Sequence, residues 1–244
     1  MARYLMKISY LGTSFCGWQV QNNGNTVQSQ MCDAAFKIFG CKTNITGCSR
    51  TDSGVHAKEF CCHFDAETKI TPEKMVDAFN NNLPDSIAVK SCEKVYDEFH
   101  ARYWAKGKNY IYKILNSRIP NPFYNGRVLQ IKYSLDLEKM QKAAAEMIGT
   151  YDFSAFCASN TSVEDKVRTI TECEVRKEGD IIQISVSANG FLYNMVRIIT
   201  GTLIAVGSGK IEPCEIKNII ESKNRENAGP TVAPQGLYLN KVFY

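Results

Sequence analysis

The 244-residue sequence lacks the segments by which membrane and secreted proteins are recognised. It has no run of about eighteen or more apolar residues, which excludes an ordinary transmembrane helix. Charge interrupts residues 1–7 too often for a signal peptide, so we expect a cytoplasmic protein. It also lacks low-complexity tracts and repeats that can be aligned.

The sequence is equally short of metal-binding patterns. Ten cysteines are present, but no Cys-x-x-Cys pair occurs, and only three histidines could join them as ligands. Cys16, Cys62 and Cys173 lie in apolar or alternating stretches, where a free cysteine behaves as a small hydrophobic residue. The sequence therefore favours reduced thiols in a reducing compartment, with no structural metal.

Strong charge of one sign is missing as well. The net charge is +4 and the pI is near 8.4, values that fit an RNA partner without requiring one. A content of 44% hydrophobic and 22% charged residues is typical of a soluble globular protein. The length suits one large domain or two small ones.

Hydrophobic periodicity predicts an α+β fold of two halves with a similar pattern, residues 1–104 and 105–244. For the first half it predicts a strand over 4–10, a helix capped by Thr26, a helix opening at Thr71-Pro72 and a strand over 87–89. For the second half it predicts strands over 110–114, 169–176, 181–188 and 237–243, and helices over 137–149, 192–206 and 216–220, with Gly149 as a C-cap.

The most reactive stretch is the polar loop Gly-Cys-Ser-Arg-Thr-Asp-Ser-Gly-Val-His-Ala, residues 47–57. It lies between a short β-branched segment and a segment in which Phe60, Cys62 and Phe64 alternate, as in a half-buried strand. Arg50 and Asp52 are two residues apart, so in an extended loop their side chains point the same way. A loop held between two strands is a suitable place for a carboxylate nucleophile, here Asp52.

A second observation concerns Arg197, which interrupts the apolar run Met-Val-Arg-Ile-Ile of a predicted helix. A buried charge is costly unless it is paired. Arg197 therefore needs an anion, and Asp52 is the obvious candidate. This expectation does not depend on any known protein.

The octamer Arg-Thr-Asp-Ser-Gly-Val-His-Ala, residues 50–57, resembles the signature of the tRNA pseudouridine synthase I family. Further stretches resemble the same family in the same order along nearly the whole chain. They are Tyr-x-Gly-Thr-x-Phe-x-Gly-Trp-Gln (10–19), Asn-Leu-Pro-x-x-Ile (82–87), Lys-Asn-Tyr-Ile-Tyr (108–112), Gly-Phe-Leu-Tyr-Asn-Met-Val-Arg-Ile-Ile-x-Gly (190–201) and Ala-Pro-x-Gly-Leu-x-Leu (233–239).

The resemblance implies an isomerase that needs no cofactor and converts uridine to pseudouridine in tRNA, at positions 38 to 40 of the anticodon stem-loop in standard tRNA numbering. It implies that Asp52 is the catalytic nucleophile, that Tyr110 lies against the target uracil and that Arg197 pairs with the aspartate. Arg50 is expected to fill the space that the target base leaves in the RNA, or to hold a phosphate. Leu237 is expected to line the pocket.

For the fold, the resemblance implies two ferredoxin-like halves with mostly antiparallel sheets, helices on one face and a catalytic cleft between them. It also implies a homodimer whose subunits together hold one tRNA.

Several assignments stay open from the residues alone. Asp52 could attack the sugar or the base, or abstract a sugar proton. His56 could orient the loop backbone or contact a phosphate. Arg102, Lys106 and Lys108 form a small basic cluster that could bind phosphates or simply face solvent.

Two rival functions remain at this stage. One is an RNA-binding module without catalytic activity. The presence of four site side chains argues against it: Arg50, Asp52, Tyr110 and Arg197. The other is a metal-dependent hydrolase that uses Asp52 and His56, for which the sequence supplies no convincing ligand set.

Overall fold

The computed structural model describes residues 1–22, 24–159 and 163–244, and it confirms the predicted α+β class with mostly antiparallel strands. The chain divides into two compact units. The first unit comprises Met1–Lys106 and Tyr238–Tyr244, and the second comprises Gly107–Leu237. The last strand, which the sequence division placed in the second half, thus lies almost entirely in the first unit.

The described residues form ten strands and five α-helices. The first unit opens with β1 (Ala2–Tyr10), α1 (Val27–Phe39), β2 (Thr46–Gly47), β3 (His56–Ala66), α2 (Pro72–Asn80) and β4 (Ile87–Val95). The second contains β5 (Gly107–Asn116), β6 (Leu129–Ile131), α3 (Leu137–Ala145), β7 (Gly149–Asp152), β8 (Val167–Glu178), β9 (Ile181–Ala188), α4 (Met195–Gly207) and α5 (Glu215–Ser222). The chain returns through β10 (Leu237–Phe243).

In the first unit, β1 lies between β3 and β4 and is antiparallel to both, while β10 runs parallel to β3. The predicted helix cap is confirmed, because Thr26 accepts from the backbone N–H of Ser29 and Ser29 accepts from that of Thr26. Both helices contact the same face of β3, where Phe64 lies against Phe39 of α1 and Phe79 of α2.

The prediction that β3 is half-buried is wrong, because its second face is covered too. Cys61 and His63 alternate with the predicted core positions, and both are buried. The His63 ring accepts a hydrogen bond from the backbone N–H of Ala101 and lies edge-on to Phe99. The Tyr244 hydroxyl donates to the carbonyl of Ala101 at 2.8 Å. A segment distant in sequence therefore covers the face that alternation assigned to solvent.

In the second unit, β8 and β9 form the predicted antiparallel hairpin, whose turn contains Gly179 at φ 56°. β9 also pairs antiparallel with β5, and β7 pairs antiparallel with β8. The short β6 runs parallel to the end of β5. α3 packs on β8 and on α4, so the apolar faces of these elements bury one another.

Several features of the second unit differ from the prediction. α3 ends at Ala145, and Gly149 is the first residue of β7 rather than a helix cap. α4 begins three residues later than predicted, because Asn194 adopts the left-handed conformation at φ 60°. β6 and β7, of three and four residues, were not predicted, since so short a strand shows no period.

Candidate active site

Asp52 lies on the loop between β2 and β3 of the first unit. The backbone N–H of Val55 donates to the carbonyl of Asp52 at 3.2 Å, and Gly54 between them has φ 79°. A positive φ at the third position of such a turn favours glycine. The Asp52 side chain is half-buried while Thr51 before it is buried. The loop thus anchors the backbone of Asp52 and leaves this residue half-buried.

The loop that follows β1 holds this turn in place. Trp18 donates its backbone N–H to the carbonyl of Thr51 at 3.2 Å. Phe15 accepts at its carbonyl from the backbone N–H of Gly54 and from the Ser53 hydroxyl, each at 3.3 Å. The 10–18 loop and the Asp52 loop are therefore joined into one structural element.

Glycine is required where these two loops meet. A Cβ built on Gly12 would lie 1.9 Å from the carbonyl oxygen of Val55, and one built on Gly17 would lie 2.3 Å from that of Thr51. Gly17 also has φ 87°. Backbone touches backbone at both points, so neither neighbour could give way to a side chain.

Buried side chains support the loop from below. The Tyr10 hydroxyl and the Thr51 hydroxyl hydrogen-bond at 2.9 Å, and Trp18 stacks on Phe60 with ring centroids 4.1 Å apart. Trp18 and Phe15 are packing residues, because each is 3% exposed.

His56 follows the loop and is fully buried. Its Nδ1 accepts from the backbone N–H of Gly12 at 2.9 Å, and its ring stacks on Tyr238 at 4.6 Å. Of the two roles left open for His56, the structure supports orientation of the loop backbone. Arg50, in contrast, is exposed.

Tyr110 and Arg197 both lie in the second unit. Tyr110 is 7% exposed on β5, and the Phe191 ring meets it edge-on with centroids 4.9 Å apart. Arg197 is half-buried on α4. Its Nε donates to the carbonyl of Val232 and its Nη1 to Oδ1 of Asn194, both at 2.7 Å. Neutral oxygens thus satisfy part of the guanidinium, and the pairing of Arg197 with an anion remains a prediction.

Arg197 belongs to a contact that fixes residues 229–233 against α4. A Cβ on Gly201 would lie 1.8 Å from the carbonyl oxygen of Pro230. Thr202 accepts from the backbone N–H of Gly229 at 2.9 Å. Sequence reasoning missed this contact, and its only signal was a glycine in the middle of an apolar helix.

The segment then continues to Leu237, which is 6% exposed. Four residues before Leu237, the carbonyl of Ala233 accepts a hydrogen bond from the Tyr112 hydroxyl at 2.5 Å. Burial raises the pKa of Tyr112, so this hydroxyl stays protonated and remains a donor. A Cβ on Gly236 would lie 2.5 Å from the same tyrosine ring. Tyr112 therefore sets the path of the chain leading to Leu237.

The sequence predicted that Cys16, Cys62 and Cys173 behave as small hydrophobic residues, and this is confirmed for two of the three. All ten are free thiols, and Cys62 and Cys173 are buried, whereas Cys16 is exposed. Burial raises the pKa of Cys173 to about 12 and that of Cys61 to about 11, which leaves both thiols protonated. Within residues 1–22, 24–159 and 163–244, no three histidine, cysteine or acidic side chains are grouped so that they could hold a metal ion.

Comparison with known proteins identifies the family. The family described as tRNA pseudouridine synthase matches residues 6–104 and 143–244. A protein of Thermoanaerobacter sp. (strain X514) named tRNA pseudouridine synthase A is 47% identical over 244 residues, the full length of both chains. Proteins of Ruminiclostridium cellulolyticum (tRNA pseudouridine synthase A) and Clostridium perfringens (tRNA pseudouridine synthase A 2) are 47% and 44% identical, also over the full length of both chains.

The chain belongs to the tRNA pseudouridine synthase family. It is thus an enzyme of the isomerase class, which argues against both the non-catalytic RNA-binding module and the hydrolase. No helix in the described part of the chain combines the length and apolar character needed to cross a bilayer.

Proposed function

We propose that this enzyme converts uridine to pseudouridine at positions 38 to 40 of tRNA, in the anticodon stem-loop, with Asp52 as the catalytic nucleophile. The observation that supports this most is the fixed backbone of Asp52. Hydrogen bonds from the 10–18 loop hold the turn, while Asp52 is only half-buried. A nucleophile needs such a position, because catalysis depends on holding reacting atoms in a narrow range of geometry.

The reaction is an isomerisation whose atoms balance without a co-reactant. The bond between N1 of the uracil and C1′ of the ribose breaks, and a bond between C5 and C1′ forms. The hydrogen on C5 leaves to solvent, while N1 takes up a proton. Nothing is oxidised or hydrolysed, so we propose that no cofactor or metal takes part.

The target base must first leave its stack, which typically costs a few kcal/mol. We propose that Arg50 fills the vacated space or holds a phosphate, a role for which its exposed position on the Asp52 loop is suited. We assign Tyr110 to the face of the uracil, Arg197 to the orientation of the aspartate and Leu237 to the pocket wall. Base stacking on an aromatic ring is worth about 1–3 kcal/mol, which offsets part of the cost of extrusion.

We further propose a cytoplasmic homodimer whose subunits together hold one tRNA. Light scattering during gel filtration, with and without tRNA, would measure both stoichiometries. A monomer that modifies tRNA at full rate would contradict the dimer but not the reaction.

The function itself is tested with tRNA transcripts that carry tritium on C5 of uridine. We expect tritium release by the wild-type chain and none by Asp52→Asn, with unchanged release in the presence of a chelator. Mapping of the product should place pseudouridine at positions 38 to 40. Transcripts with cytidine at these three positions are the matched substrate control. Continued release from them, at the rate of the parent tRNA, would contradict the proposed target.

A further inference from the structure

Residues 117–128 join β5 to β6 and form an exposed loop within the second unit. Phe123 in this loop is 85% exposed, more than any other aromatic side chain in the described residues. Ile119 is 76% exposed and Tyr124 37%. Large apolar side chains grouped in this way on the surface mark an interaction site more often than a solvated face.

The tip of the loop is held in one conformation. Asn121 accepts at Oδ1 from the backbone N–H of Phe123 at 3.1 Å, and at its carbonyl from that of Tyr124 at 3.0 Å. Pro122 is the first residue of the resulting 3-10 turn, and its ring fixes φ there. The exposed Phe123 ring therefore projects from a rigid turn, and binding a partner there would cost little ordering of the chain.

The base of the loop is closed as well. Asn116 of β5 pairs with Ile131 of β6, and the Asn116 side chain donates to the carbonyl of Tyr133 at 2.7 Å. Gln130 donates to the carbonyl of Ser117 at 3.0 Å. A compact loop whose ends lie together is an Ω-loop, a class that is frequently functional.

The stretch of sequence that contains this loop carries charge of one sign. Between Glu98 and Asp136 the sequence has no acidic residue, and it has seven basic ones: Arg102, Lys106, Lys108, Lys113, Arg118, Arg127 and Lys132. The rest of the chain has 22 basic and 25 acidic residues, the remainder after these seven are taken from the totals of 29 and 25. The overall charge of +4 thus hides a basic stretch in which the loop is central. Arg118 and Arg127 within the loop are both exposed.

We propose that the 117–128 loop is an RNA-binding element. In it, the Phe123 ring stacks on an unpaired base of the substrate, and Arg118 and Arg127 contact the phosphates on either side. Aromatic rings between cations are the combination by which proteins bind single-stranded RNA, since the ring takes the base and the cations take the backbone. The inference rests on the proposed function, because it takes tRNA as the substrate.

A second copy of this chain is the other occupant to consider. The cores of protein–protein interfaces are depleted in charged residues overall, and a two-fold interface brings a patch against its own copy. Such an interface would place the exposed Arg118 and Arg127 near the same two cations of the second copy. A polyanion supplies charge of the opposite sign, so the observations favour RNA.

The proposal is tested by binding of full-length tRNA to the purified chain at several salt concentrations. We expect Phe123→Ala to weaken binding about fivefold or more, while Phe123→Trp retains binding. The double variant Arg118→Ala, Arg127→Ala should lower the slope of log K against log salt by about 1.5, the effect of two lost phosphate contacts.

Phe36→Ala is the matched control, because Phe36 is a 57% exposed phenylalanine on α1 of the first unit. It should leave tRNA binding unchanged. Circular dichroism and thermal unfolding of each variant establish that the loop changes leave the fold intact, which the exposure of the three side chains leads us to expect.

Three results would overturn the proposal. One is tRNA binding by Phe123→Ala equal to wild type, while the wild-type chain forms pseudouridine normally; this would leave the proposed function intact. Another is dissociation of a wild-type dimer by Phe123→Ala without loss of tRNA affinity per subunit, which would assign the loop to a second copy. The third is an equal loss of binding in Phe36→Ala. Failure of the wild-type chain to form pseudouridine at all would be a separate result, against the proposed function.

Discussion

The backbone N–H of Gly12 donates to Nδ1 of His56 across 44 residues of sequence, at 2.9 Å. This bond joins the loop after β1 to the first residue of β3, and the Asp52 turn lies between these anchors. The Gly12 backbone also lies so close to Val55 that no Cβ would fit. The position of Asp52 is therefore set by a loop that comes before it in the chain and by the strand that follows it.

Asp52→Asn and Asp52→Ala should abolish isomerisation and leave tRNA affinity within about tenfold of wild type. A neutral amide is a poor nucleophile and a poor base, whereas affinity should depend on many phosphate contacts elsewhere. Tritium release and filter binding measure the two quantities on the same preparations. Turnover by Asp52→Asn near the wild-type rate would rule out the nucleophile assignment.

Gly12→Ala should lower both stability and activity. Its Cβ would meet the carbonyl oxygen of Val55 at 1.9 Å, so the 10–18 loop or the Asp52 turn must move. Overpacking of this kind typically costs about 1–3 kcal/mol of unfolding free energy. Gly190→Ala is the control for stability, because the nearest atom to its Cβ is the Arg168 side chain at 3.4 Å. Equal thermal midpoints for the two variants would contradict the steric argument.

The stability of the first unit should fall in mild acid because of His63. Burial, followed by the charges of His100 and Arg3, lowers the pKa of His63 to about 4, whereas an unfolded histidine titrates near 6.5. Between these values the unfolded chain binds a proton that the folded chain does not. The free energy of unfolding should therefore have its full value above pH 6.5 and decrease as the pH falls towards 4.

Thermal unfolding from pH 8 to pH 4.5 measures this dependence, and His63→Gln should reduce its slope. Some slope should persist, since burial also lowers the pKa of His100. The Asp65 carboxyl, whose pKa the Arg3 hydrogen bond lowers, also loses its stabilising effect in acid, but only below its usual pKa of 3.8. Identical slopes for wild type and His63→Gln would show that another group is responsible.

Arg197→Met should destabilise the second unit. It removes two hydrogen bonds from a charged donor, to the carbonyl of Val232 and to Asn194, each typically worth about 1.5–3 kcal/mol. Arg197→Lys keeps the charge but lacks the planar guanidinium with its several N–H donors. It should therefore recover only part of the lost stability. Chemical unfolding measures both.

The pairing of Arg197 with Asp52 remains a prediction from the sequence. A double-mutant cycle on unfolding, with Arg197→Met and Asp52→Asn alone and together, tests it. We expect a coupling free energy clearly above the additivity error of about 0.5 kcal/mol. Additive effects would mean that the two side chains do not interact.

Binding of tRNA should weaken as salt rises, since neutralised phosphates release counterions. Arg102, Lys106 and Lys108, changed together to alanine, should lower the salt slope if they contact phosphate. Arg102 and Lys106 are exposed, and the Arg102 guanidinium lies 5.9 Å from the Tyr103 ring centroid. An unchanged slope would assign the cluster to a solvated face.

The sequence alone determined those strands and helix ends that depend on neighbouring residues in the chain. The alternation of Tyr4, Met6, Ile8 and Tyr10 predicted β1, and Thr26 predicted the start of α1, because a strand's buried face and a helix cap are local properties. The bounds of β10 were predicted to the residue. The Asp52 loop was also recognised from its residue types, since few structural loops combine a carboxylate, a guanidinium and an imidazole so closely.

Only the tertiary structure decided which distant residues meet. It showed that His56 receives the Gly12 N–H, that Val232 and Asn194 bind Arg197, and that residues near Ala101 cover the second face of β3. Periodicity reports how one element divides between apolar and polar faces, and it holds no information about which remote segment arrives to cover a face. That choice depends on chain closure over tens of residues and on backbone approaches that only glycine permits.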